Sequence, residues 1–184
     1  AGASTNAPVV TLAVETGAKD DHRGAQPFNQ LSLQIYRAQD ARIEALDLRF
    51  QPTSALTISL TDPYRLLIQP AARQYVYVYQ LGTAGELQAL HNANPLQSSS
   101  DIYLPNETDW FYLTGANGPN LLYVLASDQE LYDLEQRYAQ YAQATSTVEA
   151  RQAARAELLK LIEDCADRSN CQLYQLAFTL QSPD

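Results

Sequence analysis

Apolar and polar residues alternate with a period of two along much of the chain between residues 31 and 126. Leu31, Leu33 and Ile35 alternate with Ser32, Gln34 and Tyr36, and Leu56, Ile58 and Leu60 alternate with Thr57 and Ser59. Successive side chains of a strand point to opposite faces, so this spacing predicts half-buried strands. The stretch Ile43 to Phe50 alternates less cleanly and reads as a strand or one helical turn. Thr61-Asp62-Pro63 breaks the pattern, Tyr64 to Gln69 resumes it, and Pro70 stops it again. The clearest strand is Gln74 to Gln80. It sets Tyr75, Tyr77 and Tyr79 on one face and Val76 and Val78 on the other. Two apolar faces predict a central strand covered on both sides. Gly82 to Gly85 predicts a hairpin turn, with Glu86 to Leu90 as the returning strand. Further strands are predicted at Ile102 to Leu104, Trp110 to Leu113 and Leu121 to Ala126.

After residue 126 the period lengthens. Leu131, Leu134, Tyr138 and Tyr141 step by three and four, the spacing of one helical face. Ser127-x-x-Glu130 in front of them reads as a capping box, and Ser146-x-x-Glu149 repeats the signal. Val148, Leu158, Leu161, Ile162 and Cys165 line a second stripe. A final strand is predicted from Gln172 to Leu180. The expected fold is mainly β (α+β): an antiparallel β-sandwich or barrel-like core with a helical hairpin, at about 128–165, inserted before the last strand. Residues 31–184 are expected to form one domain. Residues 1–30, rich in small and polar residues, read as a flexible segment or linker in which Val9 to Val14 can add an edge strand.

Composition narrows the function. The 184 residues carry a net charge of −9, which disfavours phosphate backbones and anionic membrane surfaces, so no nucleic-acid partner is expected. No apolar run reaches the length of a membrane helix. The chain contains no methionine, even at position 1, and therefore reads as a mature product or an excised segment. Membrane attachment is expected only through a lipid anchor or a segment outside it. Tyrosine dominates the aromatics, with 12 Tyr against 4 Phe and 1 Trp. Its amphipathic ring suits half-wet sheet faces and interfaces.

The two cysteines, Cys165 and Cys171, sit close in sequence. A disulfide is the favoured reading and implies an oxidising compartment. Free thiols and a zinc site are the alternatives, but only His22 and His91 are available to complete a zinc site, and neither stands at ligand spacing. No metal or cofactor is expected.

The segment Leu60 to Ser127 carries a string of short patterns: Tyr75-Val-Tyr-Val-Tyr79, Gly85-Glu-Leu87, Leu90 before the Asn92/Asn94-Pro95 loop, Ile102-Tyr-Leu-Pro105, Trp110-Phe-Tyr-Leu113 and Asn120 to Ser127. In these it resembles the DUF4384 family, a domain found in bacterial envelope and multidomain proteins. The resemblance covers somewhat more than a third of the chain. It departs from the family at His91-Asn92-Ala93-Asn94-Pro95, where a Phe-Pro-Asn-like turn is expected. Members occur beside caspase-like, kinase or curli-secretion-like partners, which implies an accessory role and supplies no catalytic residues. It also implies a bacterial periplasmic or extracellular location, including that of an outer-membrane lipoprotein.

Catalytic patterns are sparse. Ser98, Ser99 and Ser100 lie near His91 and Asp101, but no Gly-x-Ser-x-Gly elbow frames them. Asp40, Glu44 and Asp47 approach helical spacing, and in an acidic chain such carboxylates read first as solvated surface. Asn106-Glu107-Thr108 matches a glycosylation sequon, relevant only to a eukaryotic secretory protein. The binding candidates are the row Tyr75, Tyr77 and Tyr79 with His91 and Trp110, joined by Tyr64, Tyr103, Tyr112 and Tyr123 on other strands. The rings either pack a sheet face beneath the helices or form an exposed platform for a protein or envelope polymer. Three functions follow: a non-catalytic binding or assembly module, a hydrolase centred on His91, or a structural spacer.

Overall fold

A computed structural model describes residues 9–11, 26–50, 54–143 and 147–182. Two five-stranded sheets face each other. The first has the order β1 (Val9–Thr11), β3 (Arg42–Asp47), β2 (Phe28–Arg37), β5 (Tyr64–Pro70) and β8 (Ile102–Leu104). The second has the order β4 (Leu56–Ser59), β10 (Cys171–Gln181), β9 (Gly118–Ser127), β6 (Tyr75–Leu81) and β7 (Leu87–Ala89). Pairing is antiparallel except at two edges, where β1 runs parallel to β3 and β4 parallel to β10. The helices α1 (Tyr132–Gln143) and α2 (Val148–Asp164), followed by a 3₁₀ turn over Cys165–Asp167, precede the last strand. The β-rich sandwich with a helical hairpin before its final strand is therefore what the periodicity predicts.

The core has two parts. Between the sheets lie Leu31, Leu33 and Ile35 of β2, Val76 and Val78 of β6, Leu122 and Val124 of β9, and Leu176, Phe178 and Leu180 of β10. On the far face of the second sheet, Tyr77, Tyr79, Tyr123 and Leu125 meet Leu134, Tyr141, Leu158 and Ile162 of the helices. The molecule is thus layered sheet, sheet, helices. This arrangement explains why β6 and β9 are apolar on both sides, whereas β10 alternates from Tyr174 to Leu180. Cys165 and Cys171 are disulfide-bonded with Cα atoms 5.2 Å apart, tying the end of α2 to the start of β10.

Several boundaries differ from expectation. Val9–Thr11 forms an edge strand, β1, as the apolar patch there allows, whereas β2 begins at Phe28, ahead of the expected start at Leu31; residues 1–8 and 12–25 lie outside the described residues. Ile43 to Phe50 resolves as a strand with a terminal turn. Trp110 to Leu113 is not a strand. Its burial repeats over three residues rather than two, and only Phe111 bridges to Tyr64, through N–H···O bonds of 3.0 and 2.8 Å. The predicted capping box at Ser127 does not form. The Ser127 hydroxyl is occupied by its own turn, accepting from Gln129 N–H and donating to Gln129 C=O, and α1 starts later, at Tyr132. At α2 the cap is Thr147, whose Oγ1 accepts from Ala150 N–H at 3.3 Å; Ser146 lies outside the described residues. Val148, expected on the buried stripe, is 68% exposed, because α2 beds down only over its C-terminal half. Among the described residues, no helix is long and apolar enough to cross a membrane.

Candidate functional site

The tyrosine row is structural in its placement. Tyr77 and Tyr79 are each 1% exposed and Tyr75 is half-buried, all on the face that the helices cover. Tyr77 Oη accepts a hydrogen bond from Leu131 N–H at 2.9 Å, fixing the entry to α1. From the other side, Tyr141 Oη accepts from Leu87 N–H at 3.1 Å and Tyr138 Oη from Ala89 N–H at 2.9 Å. In an antiparallel strand alternate N–H groups face opposite sides. Leu90 N–H bonds inward to Val78 C=O, so the N–H groups of Leu87 and Ala89 face away from β6. The helix hydroxyls thus occupy the donors on the outer edge of β7, as a sixth strand would. Burial pushes the Tyr77 and Tyr79 phenols well above their ordinary value, so both stay protonated. Among the described residues Tyr79 Oη has no hydrogen-bond partner; its ring stands 5.5 Å from that of Tyr138. These rings do not form an exposed platform.

Trp110 is 6% exposed. Its ring lies under the Arg65 guanidinium at 4.2 Å and edge-on to Tyr36 at 6.2 Å. Burial there lowers the Arg65 pKa. The indole is therefore sandwiched, with no open face for a ligand.

His91 is half-buried just beyond β7, and desolvation lowers its pKa below the ordinary 6.5. Among the described residues no hydrogen bond joins it to the serines or to Asp101. Ser98 is engaged elsewhere: its backbone pairs with Gln74 at 2.9 and 3.0 Å, and its Oγ accepts from Ser100 N–H at 3.0 Å. Asp101 accepts from Gln69 Nε2 at 3.5 Å. A nucleophile needs a base within hydrogen-bond reach, and this grouping does not supply one.

The carboxylates at Asp40, Glu44 and Asp47 fall on a turn and a strand rather than a helix, and arginines neutralise them. Glu44 lies between Arg37 at 3.0 Å and Arg42 at 2.8 Å, Asp40 meets Arg42 at 3.4 Å, and Asp47 meets Arg49 at 2.7 Å. Arg37 also reaches Asp62 at 3.2 Å. The sequon at Asn106 is exposed, with its amide oxygen accepting from Thr108 and Asp109 N–H.

One concavity among the described residues is not announced by the sequence pattern. A cleft of about 590 Å³ opens between the turn at 82–86, the loop 111–116, and Arg151 of α2. Tyr64, Phe111, Leu113 and Leu180 supply apolar surface, and a hydrogen-bonded relay forms a polar wall. In it Tyr64 Oη donates to Gln80 Oε1, Gln80 Nε2 to Asn120 Oδ1 at 3.3 Å, Asn120 Nδ2 to Thr83 Oγ1 at 3.0 Å, and Thr83 Oγ1 to Pro119 C=O at 3.2 Å. Asn120 is 2% exposed, so this relay is a buried truss. It ties the 82–86 turn to the start of β9. Gly118 takes part through close approach: its φ is +143°, and a Cβ there would stand 2.5 Å from Thr83 Cγ2. At the rim Tyr112 is 59% exposed, beside the exposed Ala84, Glu86, Gln88 and Thr114.

Among the described residues no three His, Cys, Asp or Glu side chains cluster as a metal site of that kind. No known protein family, curated protein or solved structure matches the chain.

Proposed function

We propose that the chain is a non-catalytic binding or assembly module that works outside the cytoplasm and receives a protein or an envelope polymer at the cleft between the 82–86 turn and the 111–116 loop. The observation that carries this reading is the cleft itself: about 590 Å³, rigidly framed by the Tyr64–Gln80–Asn120–Thr83 relay, with the exposed Tyr112 ring at its rim. Ligand sites combine apolar walls, a few placed polar groups and a rigid scaffold. The resemblance to DUF4384 points the same way, and the Cys165–Cys171 disulfide suits an oxidising periplasmic or extracellular setting. The serines near His91 lack a base, which favours binding over hydrolysis.

The test is an NMR titration of the ¹⁵N-labelled protein with soluble peptidoglycan fragments and, separately, with extended peptides. Expected are shifts of Thr83, Tyr112, Thr114 and Asn120 amides with one of the two, and their loss on Tyr112→Ala. Shifts absent from the cleft in both titrations would leave the structural-spacer reading in its place.

A further inference from the structure

We propose that Glu130 and Glu135 form a proton-operated latch on α1: while the two carboxyls share a proton the helix is seated on the second sheet, and when that proton leaves, the start of α1 lifts away. Among the described residues three carboxylates are buried: Glu44, Asp62 and Glu135, at 8%, 8% and 6% exposure. Glu44 has two arginines, and Asp62 has Arg37 and the Ala38 N–H. Glu135 has neither. Both its oxygens are shut off from solvent without a donor among the described residues, and the Glu130 carboxyl stands within hydrogen-bonding reach. One acid bonds to another only when one of them carries a proton.

The surroundings keep that proton in place. Burial, followed by the charge and the hydrogen bond of Glu130, pushes the Glu135 carboxyl up to about 7. From β6 the phenols of Tyr77 and Tyr79 face it, and both stay protonated. Glu130 has Tyr132 hydrogen-bonded to it and shares a depression with Asp133 and Arg168. Arg168 makes no ion pair among the described residues, and its charge favours ionisation of the half-buried Glu130. The shared proton therefore belongs to the buried partner, Glu135.

Glu135 also sits where a charge disturbs most. Leu131, Glu135 and Tyr138 are spaced by four and three residues and share one helical face. Leu131 N–H donates to Tyr77 Oη, and Ala89 N–H, on the edge of β7, donates to Tyr138 Oη. A helix of 12 residues does not hold its place without packing. Water is close by, because Asn94, Tyr132 and Gln136 line a shallow hollow alongside. Loss of the proton sets two like charges against each other, and rotation of α1 toward the hollow hydrates them at the expense of the Leu131 and Ala89 bonds. The sign follows from linkage. A carboxyl raised from 4.5 to about 7 on folding stabilises the seated helix fully at low pH, and that contribution is lost as pH rises toward about 7. The latch does not depend on the cleft.

The experiment is amide exchange of the full chain at about pH 5 and about pH 8, read as protection factors so that the intrinsic pH dependence of exchange cancels. Protection of the Leu131 and Ala89 amides should fall about tenfold or more between the two, while that of β2 holds. Glu135→Gln is nearly isosteric and cannot ionise, so its protection should be equal at both. His91 is present in that variant as well, so its titration cannot mimic the effect. A ¹³C titration of the wild-type glutamate carboxyls, which needs no variant, should place Glu135 at about 7. Equal protection in the wild type at both pH values, an equal fall in Glu135→Gln, or a Glu135 midpoint in the ordinary carboxylate range overturns the proposal.

Discussion

Three tyrosines that look alike in the sequence should respond differently to loss of a single oxygen atom. Tyr141→Phe keeps the ring under the Arg151 guanidinium, which stands 4.6 Å from its centroid, and removes only the hydroxyl. That hydroxyl accepts from Leu87 N–H at 3.1 Å, in a pair whose residues are 2% and 4% exposed. The orphaned N–H then has no water to turn to, and an unsatisfied buried donor costs about 1–3 kcal/mol. Tyr77→Phe orphans Leu131 N–H in the same way, at 8% exposure for Leu131, with a cost of about 1–2 kcal/mol. Tyr79→Phe is the internal control. Its hydroxyl is buried without a partner among the described residues, so removing it relieves a desolvated polar group and should change stability by between zero and a gain of about 1 kcal/mol.

Urea unfolding of the three variants measures these differences, and thermal melts convert each kcal/mol to roughly 2–4 °C for a chain of this length. Amide exchange locates them: in Tyr141→Phe the Leu87 amide should lose protection while those of β9 keep theirs. If Tyr79→Phe costs as much as Tyr141→Phe, the assignment of partnered and unpartnered hydroxyls is wrong. If Tyr141→Phe stays within about 0.5 kcal/mol of wild type, the edge of β7 is not held by that hydroxyl.

Two further outcomes are expected. Replacing both Cys165 and Cys171 by Ala removes a short-loop bridge and should lower stability by about 2 kcal/mol, with amide protection lost first at the end of α2; unchanged urea midpoints would show that the bridge does not restrain the unfolded chain. Burial lowers the His91 pKa from 6.5, so the unfolded chain binds its proton more readily than the folded one. That contribution is present above pH 6.5 and fades as pH falls below it. His91→Gln should therefore flatten the acid limb of Tm between about pH 7 and pH 5, and a titration of the His91 ring placing its pKa at or above 6.5 would refute the reasoning.

Alternation made the central strands legible because sheet position leaves a direct trace in the sequence. The split of Tyr75, Tyr77 and Tyr79 from Val76 and Val78 is the split between the helix-covered face and the inter-sheet core. Turn and cap details were less legible because one oxygen can serve several donors. Ser127 satisfies its own Gln129, leaving α1 to begin where Tyr77 can receive Leu131 N–H. Trp110 to Leu113 has the composition of a strand but a burial period of three, set by Trp110 lying on Arg65 and Leu113 joining the core. The cleft was invisible because the turn at 82–86 and the loop 111–116 are distant in sequence and come together only in three dimensions, where Thr83 bonds Asn120 and packs against Gly118. Glu130 read as a capping residue, and its meeting with Glu135 depends on where the helix actually begins.

The preference for tyrosine over phenylalanine follows from the thickness of the third layer. Two helices cover the outer face of the second sheet, and α2 is buried only at Leu158 and Ile162, with Arg155 bonding Gly85 C=O at 2.7 Å. So thin a cover leaves sheet-edge and helix-entry N–H groups close to apolar surface and short of water. A phenylalanine would exclude water there and leave those donors empty, whereas a tyrosine brings an acceptor along with its ring. Tyr77, Tyr138 and Tyr141 do this for Leu131, Ala89 and Leu87. The consequence reaches function. With the donors of β7 already taken, a partner cannot add a strand at that edge. Under the binding-module proposal, recognition on this side of the molecule would fall to the cleft beyond the 82–86 turn, where the exposed ring of Tyr112 stands at the rim.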